Sequence, residues 1–399
     1  MLTPEQIAKI HEKDSQLREG QQRNPLTNYR EGYFHITLNV RNKAPMLGWL
    51  TGSISKSHEN KDTPKIVLTQ LGEKVNEAWS RIPLFYPNVE TVAFQIMPEH
   101  IHGLLHLKQG NTKHLGHIVK GFMIGSSHGY WDILGLPWRE QGYTKGVLTP
   151  QYNDKDHTHS FRGPALFVHG YNDVEALTHQ EVAIKIEYIR TNPERRMIKQ
   201  TLSEVFSVKR GITSHNWTFD RAMKALISDQ WLKKDASKLK ETMQKISARM
   251  EYNEQHKPML AYVGNKSLLT TENKIPLICH RRDVELFEMQ KNTILQAARE
   301  KAIVVSAFIS PKENEIKKQL IMEQLPFIQI MDNGFSERYK PVGKSFYATA
   351  EGNLLQLSPW TYLFNRDSTI SREMCLVMNE LVRLITNKDD DWWKQANQI

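Results

Sequence analysis

Four short, nearly unbroken apolar runs dominate the second half of the chain: IPLICH (275–280), AIVVSAF (302–308), PFIQIM (326–331) and NLLQLSP (353–359). A strand with one wet face alternates polar and apolar residues. A strand covered on both faces has no polar side and reads as a continuous run. Helical patterns fill 284–301 and 312–324, between successive runs. Such alternation predicts a parallel sheet with helices on both faces, an α/β domain over 256–399.

The first half is patterned differently. GYFHITLNV (32–40) and LGWLTGSIS (47–55) read as strands, followed by a helix over 68–82 with Leu71, Val75 and Trp79 on one side. NVETVAFQIM (88–97) and HIHGLLHL (100–107) read as adjacent strands joined at Pro98-Glu99, with further helices over 115–131 and 174–192. The order strand, strand, helix, strand, strand, helix predicts a small antiparallel sheet with helices on one face, placed in a domain over 1–209. The stretch 202–255 is largely helical and charge-rich, so 210–255 is expected to connect the two domains.

At 399 residues the chain is long enough for two cores. Its two cysteines, Cys279 and Cys375, are too few and too far apart for a disulfide scaffold or a zinc ribbon, which suits a reducing cytoplasm. The N-terminal stretch is charged, without the apolar core of a signal peptide, and no apolar run is long enough to span a membrane. The formal charge of +9 favours polyanionic partners mildly.

Chemistry concentrates in two segments. In MPEHIHGLLHL (97–107), His100 and His102 lie one residue apart on a strand and so point to the same face. They are either a pair of metal ligands or two exposed polar side chains. A third ligand would be needed. His106 shares their face and would make a three-histidine zinc hydrolase, but the rise of the strand carries it too far from His100 for one ion. In KIEYIRTNPERR (185–196), Val182, Ile186 and Ile189 form the helix's core stripe, which leaves Tyr188 off that face. Asn192, four residues on, shares the face of Tyr188, and Arg190, Arg195 and Arg196 surround it. Two readings stand here: a functional cluster, or a tyrosine packed at a domain junction beside a helix-capping asparagine.

MPEHIHGLLHL resembles the HUH motif of single-tyrosine transposases, two histidines around one apolar residue. GYNDVEALTHQEVAIKIEYIRTNPERR (170–196) resembles the tyrosine-bearing segment of the REP-associated branch of that family. Together the resemblance covers about residues 30–200 and implies an α+β, ferredoxin-like HUH domain. It further implies a metal-dependent endonuclease and strand transferase on single-stranded or hairpin DNA, bacterial, nucleoid-associated and dimeric. Carried over, Tyr188 is the nucleophile that forms a 5′-phosphotyrosine, and His100, His102 and Asn192 hold Mg²⁺ or Mn²⁺. Many relatives have glutamine where this chain has Asn192. Lys108, Lys113, Lys120, Arg195 and Arg196 are expected phosphate contacts, joined by Lys185 and Arg190 on the tyrosine's helix. Tyr130, Trp131 and Trp138 are candidates for base stacking. The alternative from another class is a DNA-binding regulator that keeps this fold without cutting.

The second half loosely resembles the Rossmann-like domain of the DNA-processing protein of natural transformation. The resemblance rests on SAFISPKENEIKKQL (306–320), a strand, Ser-rich turn and capped helix, and on the loop DNGFSERYKP (332–341). The helix start is a potential anion site. Ala307 and Phe308 stand where that family has a glycine-rich loop, so binding of DNA or protein and a purely structural role remain side by side.

Overall fold

The computed structural model describes residues 3–16, 24–54, 62–136, 163–213, 218–254, 257–364 and 370–395. Trp138 lies outside them. The chain divides into two compact units, Met1–Thr201 and Leu202–Ile399.

The first unit runs α1 (Pro4–Gln16), β1 (Gly32–Asn39), β2 (Gly48–Thr51), β3 (Lys65–Leu68), α2 (Gln70–Ser80), α3 (Ile82–Phe85), β4 (Val89–Met97), β5 (His100–Leu107), α4 (Leu115–Ile133), β6 (Asn172–Ala176), α5 (His179–Arg190) and α6 (Asn192–Thr201). Its main sheet has the order β4-β5-β1-β6, every neighbour antiparallel. Among the described residues β2 pairs only with β3, in a separate two-stranded ribbon.

Alternation along the strands decides which helix covers which face. Phe34, Ile36 and Leu38 of β1, with Ile101 and Leu105 of β5, pack against Val75 and Trp79 of α2 and Ile118 and Phe122 of α4. Gly103 belongs to this face, and a Cβ there would stand 2.2 Å from the Trp79 ring, so only glycine lets the indole lie across the strand. Leu104 points the other way and joins Ala93 and Ile189, with Val182 and Ile186 packed around them. Helices therefore cover both faces of this sheet, not one as the sequence order suggested. The stripe Val182, Ile186, Ile189 is what seats α5 on the second face.

Two boundaries differ from expectation at α5. Residues 172–176 form the edge strand β6, paired with β1 from Thr37↔Asn172 to Tyr33↔Ala176, rather than the start of the helix. Thr178 then caps α5 by accepting the Glu181 N–H. The helix ends at Arg190, and Asn192 opens α6 with Pro193 behind it, a position where proline's missing N–H costs nothing.

The second unit runs β7 (Lys209–Ile212), α7 (Phe219–Ile227), α8 (Ala236–Arg249), β8 (Leu260–Gly264), α9 (Ser267–Thr270), β9 (Lys274–Pro276), α10 (Phe287–Arg299), β10 (Ile303–Ser306), α11 (Pro311–Met322), β11 (Phe327–Ile330), α12 (Lys344–Ala350), β12 (Leu354–Ser358), α13 (Arg372–Thr386) and α14 (Trp392–Gln395). The sheet order is β7-β8-β12-β11-β10-β9, with β9 to β12 parallel and β8 and β7 antiparallel at one side. Val305, Ile328 and Leu355 meet α7, α8 and α13 through Met223, Ile246 and Leu381. Val304 and Phe327 meet α10 and α11 through Ile294 and Ile316 on the other side. Both faces are dry, as the continuous apolar runs require.

Residues 210–255 are built into this unit instead of bridging two domains. Part of β7 falls in that stretch, and its helices α7 and α8 close one face of the sheet. The abundant lysines masked an amphipathic stripe, Leu239, Met243 and Ile246, which packs inward. Along β9 to β12 the strand order advances without reversal, so no crevice of the switch-point kind opens within the parallel set. Among the described residues no helix is long and apolar enough to cross a membrane.

Candidate active site

β5 starts the site. The two-residue turn Pro98-Glu99 is pinned by the Val40 N–H donating to the Glu99 carbonyl (2.8 Å) and the Leu47 N–H donating to the Pro98 carbonyl (3.0 Å). His100 and His102 leave the strand on the α5 face, one on either side of buried Ile101. Their Nε2 atoms face each other at 3.1 Å.

Each ring is also held from behind. His100 Nδ1 lies 3.2 Å from the Glu99 carboxylate, which Arg196 grips with two contacts of 2.6 and 2.7 Å. His102 Nδ1 lies 3.1 Å from both His35 Nε2 and Thr37 Oγ1 on β1. Outer partners of this kind fix a ring's orientation and keep its other nitrogen free to coordinate. Burial, then the positive surroundings of His100, His35 and Lys199, lowers the His102 pKa to about 3. Burial and Lys185 lower that of His35 to about 4. Both rings are therefore neutral near pH 7, the form that offers a lone pair to a cation. Burial pushes the Glu99 carboxyl up, but hydrogen bonds from His100 and Arg196 outweigh it and hold it at about 2.

α5 brings the tyrosine. The Tyr188 ring stands edge-on to His102 and His35, at centroid distances of 5.5 and 5.8 Å, while 38% of the residue remains exposed. The Arg195 guanidinium sits 5.8 Å above the same ring. No described group hydrogen-bonds the Tyr188 hydroxyl. Asn192 donates its amide N–H to the Tyr188 carbonyl (2.8 Å), which satisfies one of the open carbonyls at the end of α5. Its Oδ1 takes no hydrogen bond from a described residue. A pocket of about 320 Å³ is lined by Met97, Glu99, His100, His102, Tyr188, Asn192, Arg196, Lys199 and Gln200.

These groups suit a divalent cation. Two nitrogens 3.1 Å apart have the spacing of neighbouring donors about 2.1 Å from a shared ion. Among the described residues no three His, Cys, Asp or Glu side chains are grouped to hold a metal, so any third protein ligand from them would be of another kind. The amide oxygen of Asn192, lining the same pocket, is such a donor.

Not all the sequence candidates converge. His106 stacks on Tyr33 at 4.0 Å and faces Glu90 at 3.6 Å, so the three-histidine zinc site is not formed; six residues of strand separate it from His100 by about 20 Å. Lys108 follows the far end of β5 and pairs with Glu90 (3.5 Å), with Lys113 exposed just beyond. Lys120 is exposed on α4, whose core residues cover the opposite face. Arg196 lines the pocket with its guanidinium engaged by Glu99, Lys185 is half-buried on α5, and Arg190 is exposed. Burial lowers the Lys185 pKa against the opposing pull of Glu181. Trp131 is buried and donates its indole N–H to the Pro164 carbonyl, and half-buried Tyr130 packs against the first core. Sequence reasoning missed His35, Thr37, Glu99, Lys199 and Gln200. The parity of β1 gives a signal for two of them, since His35 and Thr37 are polar positions on the face opposite Phe34, Ile36 and Leu38.

Fold and pocket together define a mixed α/β protein whose antiparallel sheet carries a histidine–tyrosine site at one end. No protein-family model matches the chain. An uncharacterized protein of Haemophilus influenzae (strain ATCC 51907 / DSM 11121 / KW20 / Rd) is 28% identical over 119 residues, 25% of this chain and 60% of that protein. The chain thus spans about three-fifths of that relative's length. Among solved structures, a REP-associated tyrosine transposase bound to a REP hairpin is similar with a TM-score of 0.27 and 13% identity, over 45% of this chain and 74% of that one.

Proposed function

We propose that the first unit nicks and rejoins single-stranded DNA at hairpins, with Tyr188 as the nucleophile and His100, His102 and Asn192 holding Mg²⁺ or Mn²⁺. In this reading the order β4-β5-β1-β6 is that of a ferredoxin-like HUH domain. The observation that carries it is the approach of Tyr188 to the histidine pair: its ring lies 5.5 Å from that of His102, with the hydroxyl unengaged by any described residue.

Tyr188 loses its proton to solvent and its oxygen bonds the scissile phosphorus, while the 3′-oxygen leaves and takes up a proton. The strand 3′ of the cut remains attached as a 5′-phosphotyrosine. A later attack by a 3′-hydroxyl on that bond reverses the exchange and regenerates the phenol, so joining needs no other energy source. Glu99 holds the His100 ring and His35 with Thr37 holds that of His102 throughout. Arg195 and Lys199 bring positive charge to the rim, where it draws the phosphate in. The bound cation would supply Lewis acidity toward the phosphate oxygens.

The test is to incubate the full chain with 3′-labelled single-stranded hairpin DNA and Mn²⁺, then separate on a denaturing gel. A slowly migrating protein–DNA adduct, abolished by EDTA and restored by Mn²⁺, is expected. Label that stays with free DNA across a broad hairpin panel would overturn the proposal in favour of a regulator that binds without cutting.

A further inference from the structure

A second polar site lies in the other unit, unconnected with the chemistry above. Register places Ser306 of β10 beside Gln329 of β11, and Gln329 beside Gln356 of β12. Three polar residues thus form a row across three parallel strands, on the α11 face and near their carboxyl ends. In strands otherwise almost wholly apolar, such a row needs a reason.

Its two glutamines belong to a directed hydrogen-bond chain. The Tyr339 hydroxyl donates to Gln356 Oε1 (2.9 Å), and Gln356 Nε2 donates to Gln329 Oε1 (3.2 Å). The Lys317 ammonium, from α11, donates to that same Gln329 oxygen (2.9 Å). Gln329 Oε1 thus accepts twice, from the ammonium and from Gln356. The Gln329 amide N–H groups and the remaining ammonium N–H groups meet no acceptor among the described residues. Lys317 is half-buried beside the Phe308 ring (5.6 Å) and has no carboxylate partner among them. Burial alone lowers its pKa to about 8.

The flanking backbone is strained as well. Phe308 adopts φ 50°, a region a bulky side chain rarely enters, and is fixed there by its N–H donating to Ser306 Oγ and by Asn314 donating to its carbonyl.

We propose that Lys317 and Gln329 bind a small oxyanion, the terminal phosphoryl group of a phosphate monoester, at the carboxyl ends of β10 to β12. The surplus is of donors and positive charge, which calls for an acceptor-rich anion. A half-buried ammonium is better reached by a terminal phosphoryl than by a phosphodiester in mid-strand.

Acetylation of the intact protein with an activated ester at pH 8, read residue by residue by mass spectrometry, tests this without any substitution. Inorganic phosphate and AMP should each slow acetylation of Lys317 at least fivefold. Adenosine should not, and exposed Lys318 serves as the internal control. Acetate protecting as well as phosphate would assign the site to carboxylates and overturn the phosphoryl choice. Single-stranded DNA protecting where phosphate does not would overturn the monoester. A Lys317 that no reagent reaches, or that phosphate leaves unprotected, would remove the site. As a second arm, calorimetry should show phosphate binding weakened at least tenfold by Lys317→Gln and retained by Lys317→Arg. Equal affinity in both variants and the parent would count against the proposal.

Discussion

The pocket around Tyr188 and the start of α11 both gather polar groups at the end of a sheet, yet they treat them oppositely. In the first, the tyrosine hydroxyl and the Asn192 Oδ1 accept nothing and donate nothing within the described residues. In the second, the capping box of Ser310 and Glu313 closes the helix end on itself. The buried Glu313 carboxylate accepts N–H bonds from Cys279 (2.9 Å), Ile309 (2.6 Å) and Ser310 (3.0 Å). The chain has thus filled with its own carboxylate the place where a bound anion would sit. The difference teaches that a helix start after a strand is a candidate site only while its donors are unspent: the pocket of the first unit keeps open valences, whereas the start of α11 has closed on itself.

The sharpest way to break that contrast is Tyr188→Phe. If the hydroxyl is unspent, its removal should abolish the covalent adduct below detection and shift the melting temperature by no more than about 1 °C. Surface changes that remove no buried partner stay within about 0.5 kcal/mol. A variant that still forms adduct would move the nucleophile elsewhere. One that melts several degrees lower would make Tyr188 a packing residue.

The mirror experiment is Glu313→Leu. Three backbone N–H groups in a buried setting lose their acceptor at once, and each unmet group costs about 1–3 kcal/mol. Relief of the carboxylate's own desolvation, which raises its pKa despite those bonds, offsets part of this. A net loss of about 2–4 kcal/mol in urea unfolding is expected, with DNA adduct formation unchanged at temperatures where the variant is folded. An undiminished stability would show that water or another group replaces the carboxylate, and the site would then be open after all.

Next in size is His35→Ala. Its ring supports His102 Nδ1 at 3.1 Å and is neither the nucleophile nor a metal ligand in the proposed exchange, so it positions rather than reacts. Loss of such outer support costs about 10–100-fold in metal affinity or activity. The cleavage rate at saturating Mn²⁺ should recover part of that loss, because the defect lies in holding the ion. A variant insensitive to Mn²⁺ concentration, with an unchanged rate, would leave Thr37 as the sufficient partner.

How much of this the sequence revealed follows from what kind of signal each part carried. Continuous apolar runs announced the doubly covered parallel strands, because burial on both faces leaves no room for polar residues. The HxH spacing and the stripe Val182, Ile186, Ile189 fixed which faces would meet, since both are matters of local periodicity. His35 was not legible alone: a histidine in GYFHITLNV matters only once pairing sets Thr37 opposite His102. β6 was read as helix because Val174 and Ala176 fit either period, and only an edge position beside β1 decided for a strand. The amphipathic stripe of α8 was hidden by lysines on its outer side. Glu313 looked like an ordinary first-turn acid, and nothing local says that its carboxylate folds back on the turn before it.

The smallest effect expected concerns the lysines assigned to phosphate contacts. Lys108 sits beyond Leu107, and eight residues of strand put it about 26 Å from His100. Its ammonium pairs with Glu90 at 3.5 Å, half exposed, an interaction worth little in water. Lys108→Gln should therefore leave the rate of adduct formation within about twofold, since no group near the phenol or the imidazoles changes. If the strand runs along the sheet as far as Lys108, the change instead appears in affinity, as a salt dependence of binding shallower by about one counterion. Measuring the binding constant of a long and a short hairpin DNA from low to moderate salt separates the two. A shallower slope for the long substrate alone would extend the DNA path to that end of β5. Parallel slopes would confine it to the pocket side, where Arg195 and Lys199 lie.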